Sequence, residues 1–132
     1  MITRRTLTLR LLPETLAICR LEPGAAVPSW MPKAGFTAVI RTAAELSLYC
    51  DETVVPQDVR AERGWRGLEL AGPFDFSETG VIAAVAAPLS EAGISISVLA
   101  TYDTDYVFVR AASLESAVEV LQAAGHRIIG RD

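Results

Sequence analysis

Two short stretches combine carboxylates and hydroxyls in a way that could hold a small polar solute. The first, Asp75-Phe76-Ser77-Glu78-Thr79-Gly80, runs into an apolar segment with helical spacing. A helix N-terminus exposes unbonded N–H groups and carries partial positive charge, so it can seat a carboxylate. Gly80 would let a ligand approach the backbone, with the amides of Val81 and Ile82 close behind. The same residues have a plainer use, in which Ser77 and Thr79 cap the helix and Asp75 shapes a turn. The second stretch is Thr101-Tyr102-Asp103-Thr104-Asp105, between two strand-like runs. Carboxylates on a tight hairpin form Asx-type bonds and otherwise face water. A calcium loop would need oxygen ligands beyond this Asp-x-Asp pair.

Signatures of catalysis are missing. The chain has no Gly-x-Gly-x-x-Gly or Walker loop, no Gly-x-Ser-x-Gly elbow and no His-Glu-x-x-His. Its single histidine, His126, follows a helix end, where the dipole favours the charged form, and is read as structural or solvent-facing. Cys19 and Cys50 are too few for a disulfide framework or a zinc site and read as buried thiols. Trp30 and Trp65 lie beside Pro and Gly at element edges, either packing under loops or walling a ligand. The expectation is a chain that is not an enzyme and needs no metal or cofactor.

Composition narrows the partners. Net charge is −4, and eleven of the twelve basic residues are scattered arginines, so neither nucleic acid nor an anionic membrane is indicated. No apolar run approaches the ~20 residues of a membrane span, and Met1 to Leu7 alternates like a strand rather than a signal peptide. The chain reads as cytoplasmic.

The elements that must position the two stretches follow from periodicity. Arg66 to Ala71 alternates and stops at Gly72-Pro73. Ile82, Val85, Ala86 and Leu89 share a helix face, with Pro88 inside the helix and Gly93 at its end. Ile94 to Ala100 and Asp105 to Arg110 are strands. Ser113 caps a second helix carrying Leu114, Ala117, Val118 and Leu121, closed by Gly125, and a strand from His126 to Ile129 follows. The order βαββαβ predicts an α+β, ferredoxin-like plan with a four-stranded antiparallel sheet.

The first half repeats this in part. Phe36–Ile40 and Glu45–Cys50 form a strand pair, Val54–Glu62 a short helix, and a strand containing Trp65 follows, each about sixty residues before its counterpart. Between Leu12 and Phe36 lie four prolines and no helical stripe. Thr6–Leu12 and Thr15–Leu21 instead read as two strands around a turn. The expected organisation is a degenerate module over residues 1–64 and a complete one over 65–132.

The run from Thr79-Gly80-Val81 through Ala92-Gly93-Ile94-Ser95-Ile96 resembles the ACT-domain signature, although ACT domains often carry Pro-Gly where this chain has Thr79-Gly80. Leu7 to Pro13, Arg63 to Arg66, Gly72 to Ser77 and Thr101 to Val107 are similar to short tandem ACT proteins. These are related to the amino-acid-binding modules of aspartate kinases and animal cytosolic arginine sensors. The resemblance implies a regulatory binder of a small molecule, with Asp75, Phe76, Ser77, Thr79, Gly80, Val81, Ile82, Thr101, Tyr102 and Asp105 as ligand-binding residues. Open sheet edges and the small size of the modules predict a homodimer, and an unknown protein partner is a further expectation. A structural or interaction module without a small ligand is the alternative.

Overall fold

Nine regular elements form in the computed structural model, which describes residues 5–130. In order they are strand β1 (Thr8–Leu21), β2 (Ala38–Arg41), β3 (Leu46–Asp51), β4 (Ala61–Leu70), helix α1 (Val81–Glu91), β5 (Ile96–Ala100), β6 (Asp105–Arg110), α2 (Leu114–Ala123) and β7 (Arg127–Ile129). The strand-like start read at residues 1–4 lies outside the described residues. The chain divides into two compact units, Glu14–Trp65 and residues 1–13 with 66–132, and the long strands β1 and β4 each contribute to both.

Three local expectations change. The two strands expected on either side of Pro13 are one fourteen-residue strand. Proline's fixed φ near −65° lies within the extended region, so it removes one ladder donor without turning the chain. The helix expected over Val54–Glu62 is absent. Asp51 Oδ1 accepts from Thr53 N at 2.9 Å to start a single 3-10 turn, Glu52–Val54, and Ala61 already belongs to β4. Nine residues with three β-branched positions and Pro56 cannot outweigh the cost of helix nucleation. The strand carrying Trp65 and the strand starting at Arg66 are one, β4.

In the unit of residues 1–13 and 66–132 the strands run β7–β1–β4–β6–β5. The βαββαβ order holds from β4 onward, and the architecture is ferredoxin-like α+β. The sheet, however, has five strands rather than four. β1 lies between β4 and β7 and pairs with β7 in parallel, Leu9 opposite Ile128. Alternation puts Leu9, Leu11, Leu68, Leu70, Val107 and Val109 on one face, where they pack with Val81, Val85 and Leu89 of α1 and with Ala117 and Leu121 of α2. The α1 stripe includes Val81 and Ala84, while Ile82 is only partly buried. A Cβ on Gly67 would sit 2.8 Å from Leu12 Cδ1 and 3.1 Å from the Phe108 ring, so a side chain there would require those neighbours to shift.

Both helices end as their glycines suggest. Gly93 at φ 76° lets Ile94 N–H reach Leu89 O, and Gly125 at φ 97° lets His126 N–H reach Leu121 O. Their starts differ from expectation. Gly80, left-handed at φ 76°, precedes α1 with no side-chain cap, so neither Ser77 nor Thr79 caps it. A 3-10 turn, Ala111–Ser113, leads into α2 in place of a Ser113 side-chain cap.

His126 is 4% exposed and bonded on both sides, with Leu7 N–H donating to Nδ1 at 3.0 Å and Nε2 lying 2.7 Å from Ala84 O. Ala84 O is the carbonyl that residue 88 would satisfy in a regular helix. Pro88 has no N–H, so the Nε2–H of His126 replaces it. This pattern requires the neutral Nε2–H tautomer and corrects the charged helix-end reading.

The Glu14–Trp65 unit lacks helices over its sheet. Ala17, Cys19, Leu46, Leu48 and Cys50 are covered by Ala25, Trp30 and Met31 of the proline-rich segment and by Val55 and Val59. Burial pushes the Cys50 thiol up to about 11 and raises that of Cys19, in keeping with structural thiols. The internal repeat persists. β5 begins 58 residues after β2, β6 begins 59 after β3, and the second 3-10 turn begins 59 after the first. Even the hairpin turns correspond: Thr42 N–H bonds Glu45 O at 2.9 Å and Thr101 N–H bonds Thr104 O at 2.8 Å. Each threonine hydroxyl also accepts from an amide within its own turn.

Candidate functional site

The two stretches singled out by residue type close on one cleft. The loop after β4 and the β5–β6 turn meet where Phe74 N–H donates to Asp103 O at 2.8 Å. Between them lies an open hollow of about 140 Å³, bordered by Asp75, Phe76, Glu78 and Val81 on one side and by Thr101, Tyr102, Asp103 and Asp105 on the other. Of the ten residues expected to bind ligand, Asp75, Phe76, Val81, Thr101, Tyr102 and Asp105 border it. Ser77, Thr79, Gly80 and Ile82 belong to the same segment but do not line it, Ile82 packing partly against the core.

The loop holds its shape through Glu78. Its Oε1 accepts from Asp75 N–H at 3.0 Å, while Glu78 N–H donates to Asp75 O at 3.0 Å. Its Oε2 accepts from Arg5 at 2.9 Å, and the Arg5 guanidinium stands 5.7 Å from the Phe74 ring centroid. The Asp75 amide first, and Arg5 next, hold the Glu78 carboxyl below the usual glutamate range. Opposite, the Thr101 hydroxyl donates to Thr104 O at 3.0 Å, and the Thr104 hydroxyl donates to Leu70 O. Phe76 and Tyr102, 79% and 81% exposed, meet edge to face with centroids 5.2 Å apart.

Chemically, the cleft offers four carboxylates, two threonine hydroxyls and three aromatic rings, with no basic residue among the residues lining it. It suits an ammonium or guanidinium with some apolar surface, while the uncapped first turn of α1 offers amides to a carboxylate. No group of three or more potential metal ligands gathers among the described residues.

Glu78, Asp103 and Thr104 lie in the two stretches singled out but were not among the ten expected ligand-binding residues, and Phe74 and the brace from Arg5 were not foreseen. The Asp75-x-x-Glu78 spacing of a reciprocal capping pair was a readable signal for Glu78. Nothing local could have brought Arg5 to residue 78. A second unforeseen cluster crosses β1, β4 and β6. Arg10 Nη2 donates to Glu69 Oε1 at 2.8 Å, and the Tyr106 hydroxyl donates to Glu69 Oε2 at 2.6 Å.

Residues 60–123 match the model of the ACT domain, and residues 14–58 match the model of an N-terminal domain. Over 59 residues, 44% of this chain, it is 37% identical to the human cytosolic arginine sensor for mTORC1, subunit 1. That stretch spans only 18% of the sensor. An X-ray structure of a protein from Agobacterium tumefaciens superposes with a TM-score of 0.89 at 39% identity, covering 95% of this chain and 93% of that one. Aspartate kinase of Clostridium acetobutylicum shares the fold, with a TM-score of 0.67 at 13% identity over 94% of this chain and 36% of the kinase.

Proposed function

The chain is an ACT-domain protein, and from that premise we propose that it is a non-catalytic regulatory protein that binds an amino acid in the cleft between Asp75 and Asp105. The observation that carries this reading is the convergence of two separate segments on one cleft that combines carboxylates, hydroxyls and aromatic rings. The ligand's ammonium meets Asp75 or Asp105, and its carboxylate takes the amides near Gly80, Val81 and Ile82. Four lining carboxylates favour a ligand with additional positive charge over an acidic one. The relative named as a cytosolic arginine sensor supports both the ligand class and a cytoplasmic location.

Binding acts by population shift, since a ligand favours an arrangement only by binding it more tightly. The protein works as a homodimer, for which the open edges β2 and β5 give a physical motive. A screen of the twenty amino acids by thermal shift is the test, because a ligand specific for the native state raises its Tm. The expected result is a saturable rise with one or a few of them. Absence of any shift or calorimetric heat at millimolar concentration overturns the amino-acid reading.

One observation favours a different class. Phe76 and Tyr102 expose an aromatic pair large enough to anchor a protein partner. Under that reading no amino acid binds, and Phe76→Ser leaves stability unchanged while abolishing a protein interaction.

A further inference from the structure

Within the Glu14–Trp65 unit, three neighbouring segments present a second arrangement of charge around a cleft of about 240 Å³. Arg20 N–H donates to Arg60 O at 2.9 Å, and Arg20 stands opposite Ser47 in the β1–β3 register. Arg60, just before β4, thus adjoins Arg20 on one side, and Ser47 flanks Arg20 on the other. Cross-strand partners have Cβ atoms about 4.5–5.5 Å apart, a spacing at which like charges repel. Arg20 is partly compensated, donating to Ala44 O at 3.2 Å and lying 3.5 Å from the exposed Glu22. Arg60 pairs with no carboxylate among the described residues.

Glu45 and Glu62 complete the charged lining, with Glu45 accepting from the Ser47 hydroxyl at 2.6 Å. Two guanidiniums and two carboxylates leave the cleft without net charge but with its signs separated. In the Asp75–Asp105 cleft, by contrast, every charged lining residue is a carboxylate. The internal repeat adds a second argument, because the equivalent turns Thr42–Glu45 and Thr101–Thr104 each border a cleft.

We propose that the Arg20–Arg60 cleft is a second small-solute site, for a zwitterion carrying a carboxylate and an ammonium group. The carboxylate bridges Arg20 and Arg60 and relieves their repulsion, while the ammonium lies on Glu45. Its volume, below the ~300–1,000 Å³ of sites for drug-sized ligands, suits a small solute.

The test is titration of the 15N-labelled full chain with glycine, acetate or methylammonium at constant ionic strength. Glycine should give saturable shifts at the amides of Arg20, Ser47 and Arg60, with weaker responses to either half-ligand. Arg60→Gln, on an exposed side chain, should weaken glycine binding at these amides about tenfold or more while keeping the wild-type melting curve. Asp105→Ala, in the other unit, should leave them unchanged. The proposal is overturned if these amides give no saturable shift or if shifts arise only at residues 74–105. Acetate binding as tightly as glycine overturns it too, since that marks a simple anion patch.

Discussion

Replacing His126 by Leu keeps the volume at the site but removes both of its hydrogen bonds. Leu7 N–H and Ala84 C=O would then be left without partners in a largely buried setting. Each such group costs about 1–3 kcal/mol, so the substitution should cost roughly 2–6 kcal/mol of the ~5–15 kcal/mol that holds a domain together. Lost packing alone could produce a similar figure, and Pro88 separates the two causes. In a Pro88→Ala background residue 88 regains its N–H, which can satisfy Ala84 O along the helix. His126→Leu should therefore cost about 1–2 kcal/mol less there than in the wild type. Urea denaturation of the four proteins in the cycle, with m-values compared, measures this coupling. Additivity within about 0.5 kcal/mol would refute the claim that His126 replaces the proline's missing donor.

If the acidic cleft binds an amino acid, Asp105→Ala should remove a charge-assisted hydrogen bond worth about 1.5–3 kcal/mol. That corresponds to ten- to a hundredfold in Kd by calorimetric titration, with little change in Tm. Tyr106 first, and Arg10 after it, hold the Glu69 carboxyl below its usual range. A lowered folded pKa adds stability above the ordinary glutamate value that is lost as pH falls through the folded one, so Glu69→Gln should flatten the acid limb of Tm against pH. Burial and Glu69 push Tyr106 up to about 12. Stability should therefore drop between pH ~10 and 12 and do so less in Tyr106→Phe. Cys19 and Cys50 should resist Ellman's reagent in the native protein and react fully in denaturant, and fast native labelling would contradict their burial.

Much of this protein is legible along the chain because its signals are local. The period-3.6 and period-2 patterns place α1, α2 and the strands from β4 to β7, and Gly93 and Gly125 mark the helix ends, since backbone sterics act within a few residues. The repeat is also visible, because duplicated turns keep the same threonine. The pairing of partners distant in sequence was decided only by tertiary structure. Pro13 reads as a break until β1 finds neighbours on both sides, and Val54–Glu62 reads as helical until Ala61 is drawn into β4. The insertion of β1 between β4 and β7 follows from which hydrophobic faces can be buried together, a nonlocal free energy with no signature in any short window. The candidate site divides in the same way. Its carboxylates, hydroxyls and rings are chosen by residue type, whereas Arg5 reaching Glu78 and His126 reaching Ala84 are contacts that only the packed chain can make.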